Sequence, residues 1–353
     1  MEVFDLNGKV CMIATALAAL LLAACGDGGS APDQPSPAAT ATATTEATVP
    51  ATPTPPLSTP LGADVTPPAI TPGSGEGPEP EGSIVFLSFR DGNREIYSIN
   101  VDGSGSRNLT NDPGVDENPD VSSDGKHVVW TSDRDGGVLH LYVMDIDGSN
   151  VRQITSGPGG DMSPRWSPDG KKIAFLRGGS IVVMDAEGGE AEVVLQGGSP
   201  ATAAPCEAAG FPGGWSPDGQ RITYYSADPT RGVGQVCTVD ADGSNVAVIV
   251  GEPPVYNVEP TWSRDGRYIA FRSIRGGNND VYTYDFETET VRRLTDHPAL
   301  DIEPGWSPDG EWIVFASGRD NYFTDIFIMR KDGSDVRQVT KDPAKDSESV
   351  WVP

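Results

Sequence analysis

Carboxylates recur at one phase of this sequence, a few residues ahead of the position where most repeats carry tryptophan. They are Asp116 and Glu117, Asp161, Glu259, Asp301 and Glu303, then Asp346 and Glu348. Arginines recur at a second phase, at Arg90, Arg134, Arg275 and Arg319. Converging carboxylates can bind Ca²⁺ or receive a basic side chain, and paired carboxylates can hydrolyse a glycoside. The same groups can equally pair with the arginines on neighbouring loops as structural ion pairs. Other reactive types are scarce. The histidines are His127, His140 and His297, with no pair at metal-ligand spacing. No Ser-His-Asp set stands out, and no G-x-S-x-G elbow is present. The expectation is therefore a protein without catalytic residues or a required cofactor, with Ca²⁺ at the acidic cluster the one metal to consider.

A repeat positions these groups. It reads WSPDG at Trp166–Gly170, Trp215–Gly219 and Trp306–Gly310, WSRDG at Trp262–Gly266 and VSSDG at Val121–Gly125, and a truncated copy ends the chain at Trp351. Steps of 45, 49, 47, 44 and 45 residues separate the Trp positions, a period that marks a propeller or solenoid. Within a repeat, Ser-Pro-Asp-Gly suits a type I turn. A β run such as IAFL follows, then an Arg/Gly loop and a second β run. An Asp-Gly hairpin closes the unit, as at Asp147-Gly148 and Asp242-Gly243. DIDGSN and DADGSN at these hairpins lack the later Glu of a calcium loop and are read as turns. Four antiparallel strands per repeat make one propeller blade. The chain begins its first repeat at Ser83 without the inner strand, and the last residues supply it. The fold expected is all-β, a six-bladed propeller of four-stranded blades whose first blade is closed by the C-terminal strand.

These repeats resemble those of the TolB-like propeller family, with P-x-W-S-P-D-G-k-x-I-A-F-x-S in each blade. The resemblance covers residues 83–353. It implies a periplasmic propeller that docks a peptidoglycan-associated lipoprotein. Family members of that kind carry a small α/β domain ahead of the propeller, where this chain has a low-complexity tract.

That tract sets the domain plan. Val10–Ala24 is an apolar run of signal-peptide length, and Leu22-Ala23-Ala24-Cys25-Gly26 looks like a lipobox with Cys25 as the lipidated residue. Residues 1–25 are read as a lipoprotein signal, 26–82 as a disordered Pro/Thr/Ala-rich linker, and 83–353 as the propeller. A Pro-rich tether of this length reaches on the order of 100 Å. The protein is expected to be exported and lipid-anchored to the bacterial envelope, touching membrane only through its anchor. Of the four cysteines, Cys206 and Cys237 remain for the folded region and suggest one disulfide. A net charge of −26 argues against nucleic acid and anionic lipid surfaces and for basic partners.

Strand alternation places the S-P-D-G turns and Asp-Gly hairpins on one face, and the Arg loops and blade-to-blade connections on the other. The second face varies and carries the acidic groups, so it is the expected ligand face. The reading is a monomeric binding or scaffold propeller that engages an envelope protein or peptide near the channel mouth. The alternative is a glycan- or cation-binding protein, including a carboxylate-based hydrolase or lyase, with Tyr256, Tyr322 and Phe323 as candidate aromatic platforms.

Overall fold

Local turn chemistry fixes the first contacts. At Ser167–Gly170 the Gly170 N–H donates to the Ser167 carbonyl at 2.9 Å, and the Asp169 carboxylate accepts from the Ser167 hydroxyl at 2.7 Å and the Lys171 N–H at 3.1 Å. Gly170 takes φ +70°, a conformation that costs glycine nothing. The pattern repeats at the other four such turns, through Asp124, Asp218, Asp265 and Asp309. The Asp-Gly hairpins close in the same way, with Asp102, Asp147, Asp242 and Asp332 each accepting from a serine two residues on. The DIDGSN and DADGSN segments are such hairpins, with Asn150 and Asn245 donating back to Asp145 and Asp240.

The computed structural model describes residues 78–197, 206, 210–228, 233–251, 255–320 and 322–353. They form six four-stranded antiparallel sheets. Blade 1 contains Ser83–Ser88, Glu95–Asn100 and Arg107–Asn108, with Asp346–Trp351 as its inner strand. Blades 2, 3, 4, 5 and 6 follow in chain order, with inner strands Asp116–Val121, Asp161–Trp166, Pro212–Trp215, Asn257–Trp262 and Asp301–Trp306. Each inner strand touches those of the two neighbouring blades, so the six close around a central channel. The C-terminal strand pairs Trp351 with Ile84 and Asp346 with Ser88, which removes the sheet edge that the first repeat leaves open. Helices are absent among the described residues.

The core lies between blades. Six buried clusters occur, and each joins two neighbours, as where Phe86 and Ile99 of blade 1 meet Val314 and Ile328 of blade 6. The repeat tryptophan is the wedge of each seam. Trp166, Trp215, Trp262, Trp306 and Trp351 each pack into the cluster shared with the preceding blade. Val121 holds that place in blade 2. A large flat side chain is suited to this, because it covers both sheets at once. Hairpin glycines set the spacing between blades. A Cβ at Gly243 would stand 2.6 Å from the Val194 carbonyl of the preceding blade.

The expected signal segment, Cys25 and most of the expected linker lie outside the described residues. The end of the expected linker is not free chain. The Pro78 carbonyl accepts from Trp312 Nε1 at 3.2 Å, Glu79 pairs with Arg337 at 2.6 Å, and the Glu81 carbonyl accepts from Trp351 Nε1 at 2.9 Å. These contacts lay residues 78–82 along the S-P-D-G face of blades 1 and 6, where they satisfy two indole donors.

Blade 4 is built differently. Cys206 and Cys237 are disulfide-bonded and fully buried, and the Tyr224 hydroxyl donates to the Cys206 carbonyl. Closing a loop of this length is worth about 3–4 kcal/mol in the chain-entropy model. Replacing both cysteines by alanine should lower the thermal midpoint by roughly 6–12 °C. Calorimetry of the two forms checks this, and an unchanged midpoint would show that blade 4 does not depend on the bridge.

Candidate functional site

The inner strands carry the candidate residues, and a bulge in each strand decides where those residues point. In blade 6, Asp301 and Ile302 pair with Ser317 and Ala316, but Gly305 pairs with Val314, so Glu303 and Pro304 together oppose Phe315. Proline is tolerated there because a bulge leaves its position out of the ladder. The residue that opens the bulge turns left-handed, before proline in blades 2, 3, 5 and 6 and before Ser349 in blade 1: Asn118, Ser163, Glu259, Glu303 and Glu348 have φ of +53°, +55°, +56°, +55° and +51°. Such a backbone costs about 1–3 kcal/mol at a residue other than glycine.

This turn separates the predicted acidic residues into two sets. The first set is structural. Asp116, Asp161, Asp301 and Asp346 are fully buried. Arg134 and Arg319 each bond both oxygens of Asp116 and Asp301 at 2.9 and 3.0 Å. Arg90 does so to Asp346 at 3.2 and 3.1 Å. The arginine is also held from behind by a serine two residues earlier, as in Arg319 Nε to Ser317 Oγ at 2.8 Å, and it lies over an aromatic pair such as Phe315 and Phe327. In blade 5, Arg275 meets Asn257 instead, at 3.2 Å. In blade 3 the partner of Asp161 is Arg177, at 2.6 and 2.9 Å, a residue the arginine pattern did not include. Of the two readings left open for these four aspartates and their arginines, full burial and bidentate pairing fit structural ion pairs rather than groups turned to a ligand.

The second set lines the channel. Glu259 Oε2 accepts the Glu303 N–H at 3.0 Å, Glu303 Oε2 accepts the Glu348 N–H at 2.6 Å, and Glu348 Oε2 accepts the Asn118 N–H at 2.6 Å. The Ser163 hydroxyl then donates to Asn118 Oδ1 at 3.2 Å. Each side chain thus bonds the left-handed residue of the next blade. A hydrogen bond to a charged acceptor is worth about 1.5–3 kcal/mol, the same size as the backbone strain it offsets. The relay stops at blade 4, where Pro212 has no N–H to give. Glu117 lies beside it, paired with Arg94.

Electrostatics make this set responsive. Burial raises Glu259 to about 7, against the pull of Arg272 at 3.0 Å and with the repulsion of Glu303 added. Burial likewise raises Glu348 to about 7, with Glu303 and Glu117 adding to the rise and Lys345 opposing it. Glu259 keeps 25% of its side chain exposed, so these groups are ringed by protein but reached along the channel. Toward the other end, Asp120 accepts the Trp166 N–H at 2.7 Å and is raised by burial, with Arg165 and Arg264 nearby opposing the rise. The channel is therefore acidic at the variable mouth, with arginines toward the S-P-D-G mouth.

Arg272, Lys345 and Asp120 escaped the sequence reading. Arg272 had a signal: a charge inside a strand whose counterparts are Leu87, Thr131 and Ala316. Among the described residues no cluster of three or more His, Cys, Asp or Glu is arranged to hold a metal ion. The histidines lie apart: His127 pairs with Asp145 on the S-P-D-G face, His140 is buried 3.9 Å from Asp161, and His297 Nδ1 accepts the Ala299 N–H. Tyr256 is partly buried, with Arg272 6.0 Å from its ring centroid, whereas Tyr322 and Phe323 are exposed.

Two outcomes follow. Asp301→Ala strands the Arg319 guanidinium in a buried site and should cost about 3–5 kcal/mol in urea unfolding, whereas Glu303→Gln, which keeps an acceptor, should cost about 1 kcal/mol or less. The pH dependence has a definite sign. Glu259 and Glu348 titrate near 4.5 when unfolded and near 7 when folded, so the folded state holds the extra protons. Their contribution is full below 4.5 and is lost as pH rises through 7. The thermal midpoint should therefore fall between pH 5 and pH 8, and the double variant Glu259→Gln, Glu348→Gln should flatten that fall.

Comparison with known proteins places this geometry in a family. Residues 71–199 and 184–353 match the family described as the TolB beta propeller domain. The Tol-Pal system protein TolB of Anaeromyxobacter dehalogenans is 28% identical over 142 residues, covering 37% of this chain and 32% of that protein. The chain thus matches about a third of the length of such curated relatives. TolB from Acinetobacter baumannii superposes with a TM-score of 0.66 at 22% identity, covering 77% of this chain and 67% of that one. A putative TolB from Agrobacterium tumefaciens gives 0.58 at 22% identity, over 74% and 90%. With both halves of the propeller matched, the chain belongs to the TolB β-propeller family.

Proposed function

We propose that this protein is a non-catalytic binding propeller of the bacterial envelope that holds a protein or peptide partner at the acidic mouth of its channel. The observation that carries the reading is the run of Glu259, Glu303 and Glu348 in consecutive blades, bonded to one another's backbones, with Glu259 and Glu348 raised toward neutrality by burial. Like charges held this close oppose one another in the free protein. A lysine or arginine from a partner relieves that repulsion and gains three acceptors. The curated relatives are named as components of a Tol-Pal system, which favours a protein as the partner.

The place where the chain joins the propeller supports this orientation. Pro78–Gly82 runs along the S-P-D-G face at blades 1 and 6. A tether lipidated at Cys25 and attached there would leave the opposite, variable face unobstructed.

Affinity capture from solubilised native envelope tests the reading, with the wild-type protein beside a Glu303→Gln, Glu348→Gln variant. Asp301 is left intact, because its loss would destabilise blade 6 and confound the readout. A specific protein retained by the wild type and reduced at least tenfold on the variant is the expected outcome. A partner held equally by both would move the binding surface away from the channel mouth.

A further inference from the structure

Nine large apolar side chains are exposed among the described residues. Five are valines on hairpins and outer strands. The other four, Ile274, Leu300, Tyr322 and Phe323, occupy three successive loops on the variable face of blades 5 and 6. Tyr322 is 92% exposed and Phe323 49%, and the two rings meet edge to face at 5.2 Å. Water is a poor environment for such a pair, and a large exposed apolar patch on a folded scaffold marks an interaction surface.

Hydrogen bonds tie these loops to one another at Asn278 and Gly318. Asn278 Nδ2 donates to the His297 and Ala299 carbonyls at 2.7 and 2.8 Å, tying the blade 5 loop to the connection that follows. The Gly318 N–H donates to the Leu300 carbonyl at 3.1 Å, tying that connection to the blade 6 loop. Leu300 also opens the run into the inner strand. Glu303 lies three residues further on, about 10 Å at the rise of an extended chain.

We propose that this patch is the anchor half of a two-part docking surface. The partner is a protein that seats an aliphatic or aromatic side chain against Leu300, Tyr322 and Phe323 and passes a lysine or arginine inward to Glu303 and Glu259. The inference rests on the binding reading above and names the partner's chemistry. Charge favours this occupant: a carboxylate rim on a chain of net charge −26 attracts a basic segment and repels an acidic glycan.

The test is photo-crosslinking in cells of the native host, using the full chain with p-benzoylphenylalanine in place of Tyr322. A second variant carries the probe in place of Val151, which is 44% exposed at the opposite, hairpin face. Both sites are exposed, so both variants should fold. The expected result is an adduct from the Tyr322 site to one envelope protein, through a segment with a lysine or arginine within about three residues of an apolar one. Its yield should fall at least fivefold when Glu303→Gln is added. A protein adduct from the Val151 site alone would overturn the inference while leaving a binding propeller in place. So would a partner recovered by affinity capture that forms no adduct at Tyr322. An adduct only to glycan would overturn the choice of occupant.

Discussion

The bulge in each inner strand is the constraint on which the channel depends. In every blade but the fourth it places one residue in the left-handed region, and that residue bonds the neighbouring blade. An acceptor that meets its N–H offsets the strain, and glutamate at the same position of the preceding blade supplies it in blades 6, 1 and 2. Backbone geometry and side-chain identity are thus coupled around the ring. The carboxylates are there in the first place as acceptors, and their crowding follows from the spacing of the blades. A binding site arises here from a structural need, since the groups that join the blades are also the groups that a cation would meet.

This coupling explains what the sequence could and could not show. The fold was legible because Trp-Ser-Pro-Asp-Gly is local chemistry: the turn closes on its own serine and aspartate, and the tryptophan needs only the preceding blade to pack against. The site was legible only as a band of acidic positions. Simple alternation places Asp301 and Glu303 on the same side of their strand, as it does Asp346 and Glu348. The bulge breaks that alternation, sending one carboxylate into a buried arginine clamp and the other into the channel. The positive φ that does this belongs to glutamate and serine as well as to asparagine, so no residue type announced it. The partner of Asp161 was missed for a related reason. Arg177 ends its strand just before Gly178-Gly179, a two-residue turn too short to hold the arginine two residues past a serine as in the other blades.

Blade 4 shows what the other blades rely on, by lacking all of it. Its counterpart of the clamped aspartate is Gly210, where a Cβ would stand 1.6 Å from the Tyr225 carbonyl. Its counterpart of the left-handed residue is Pro212, and Gly213 lies so near the Pro260 carbonyl that a Cβ would come within 2.0 Å. In blade 4 the Cys206–Cys237 bridge lies against Tyr224, which pairs across from Cys237 and donates its hydroxyl to the Cys206 carbonyl. A covalent clamp thus replaces an ionic one. The blade that gives up its polar groups also gives up its place in the relay, and the channel wall becomes one-sided.

That asymmetry bears on recognition. A closed ring of six acceptors and six donors would satisfy itself and present no direction to a ligand. Here the relay runs from Glu259 through Glu348 to Ser163 and ends at a proline, so the unbalanced charge is confined to blades 5, 6 and 1. Arg272 and Lys345 offset part of it, yet two of the three glutamates still titrate near 7. Protonation and a cationic partner relieve the same repulsion, and so they compete. A propeller that is stabler when protonated is, by that linkage, one that binds a basic segment more tightly as pH rises toward 8, until the bound cation takes over the role of the proton.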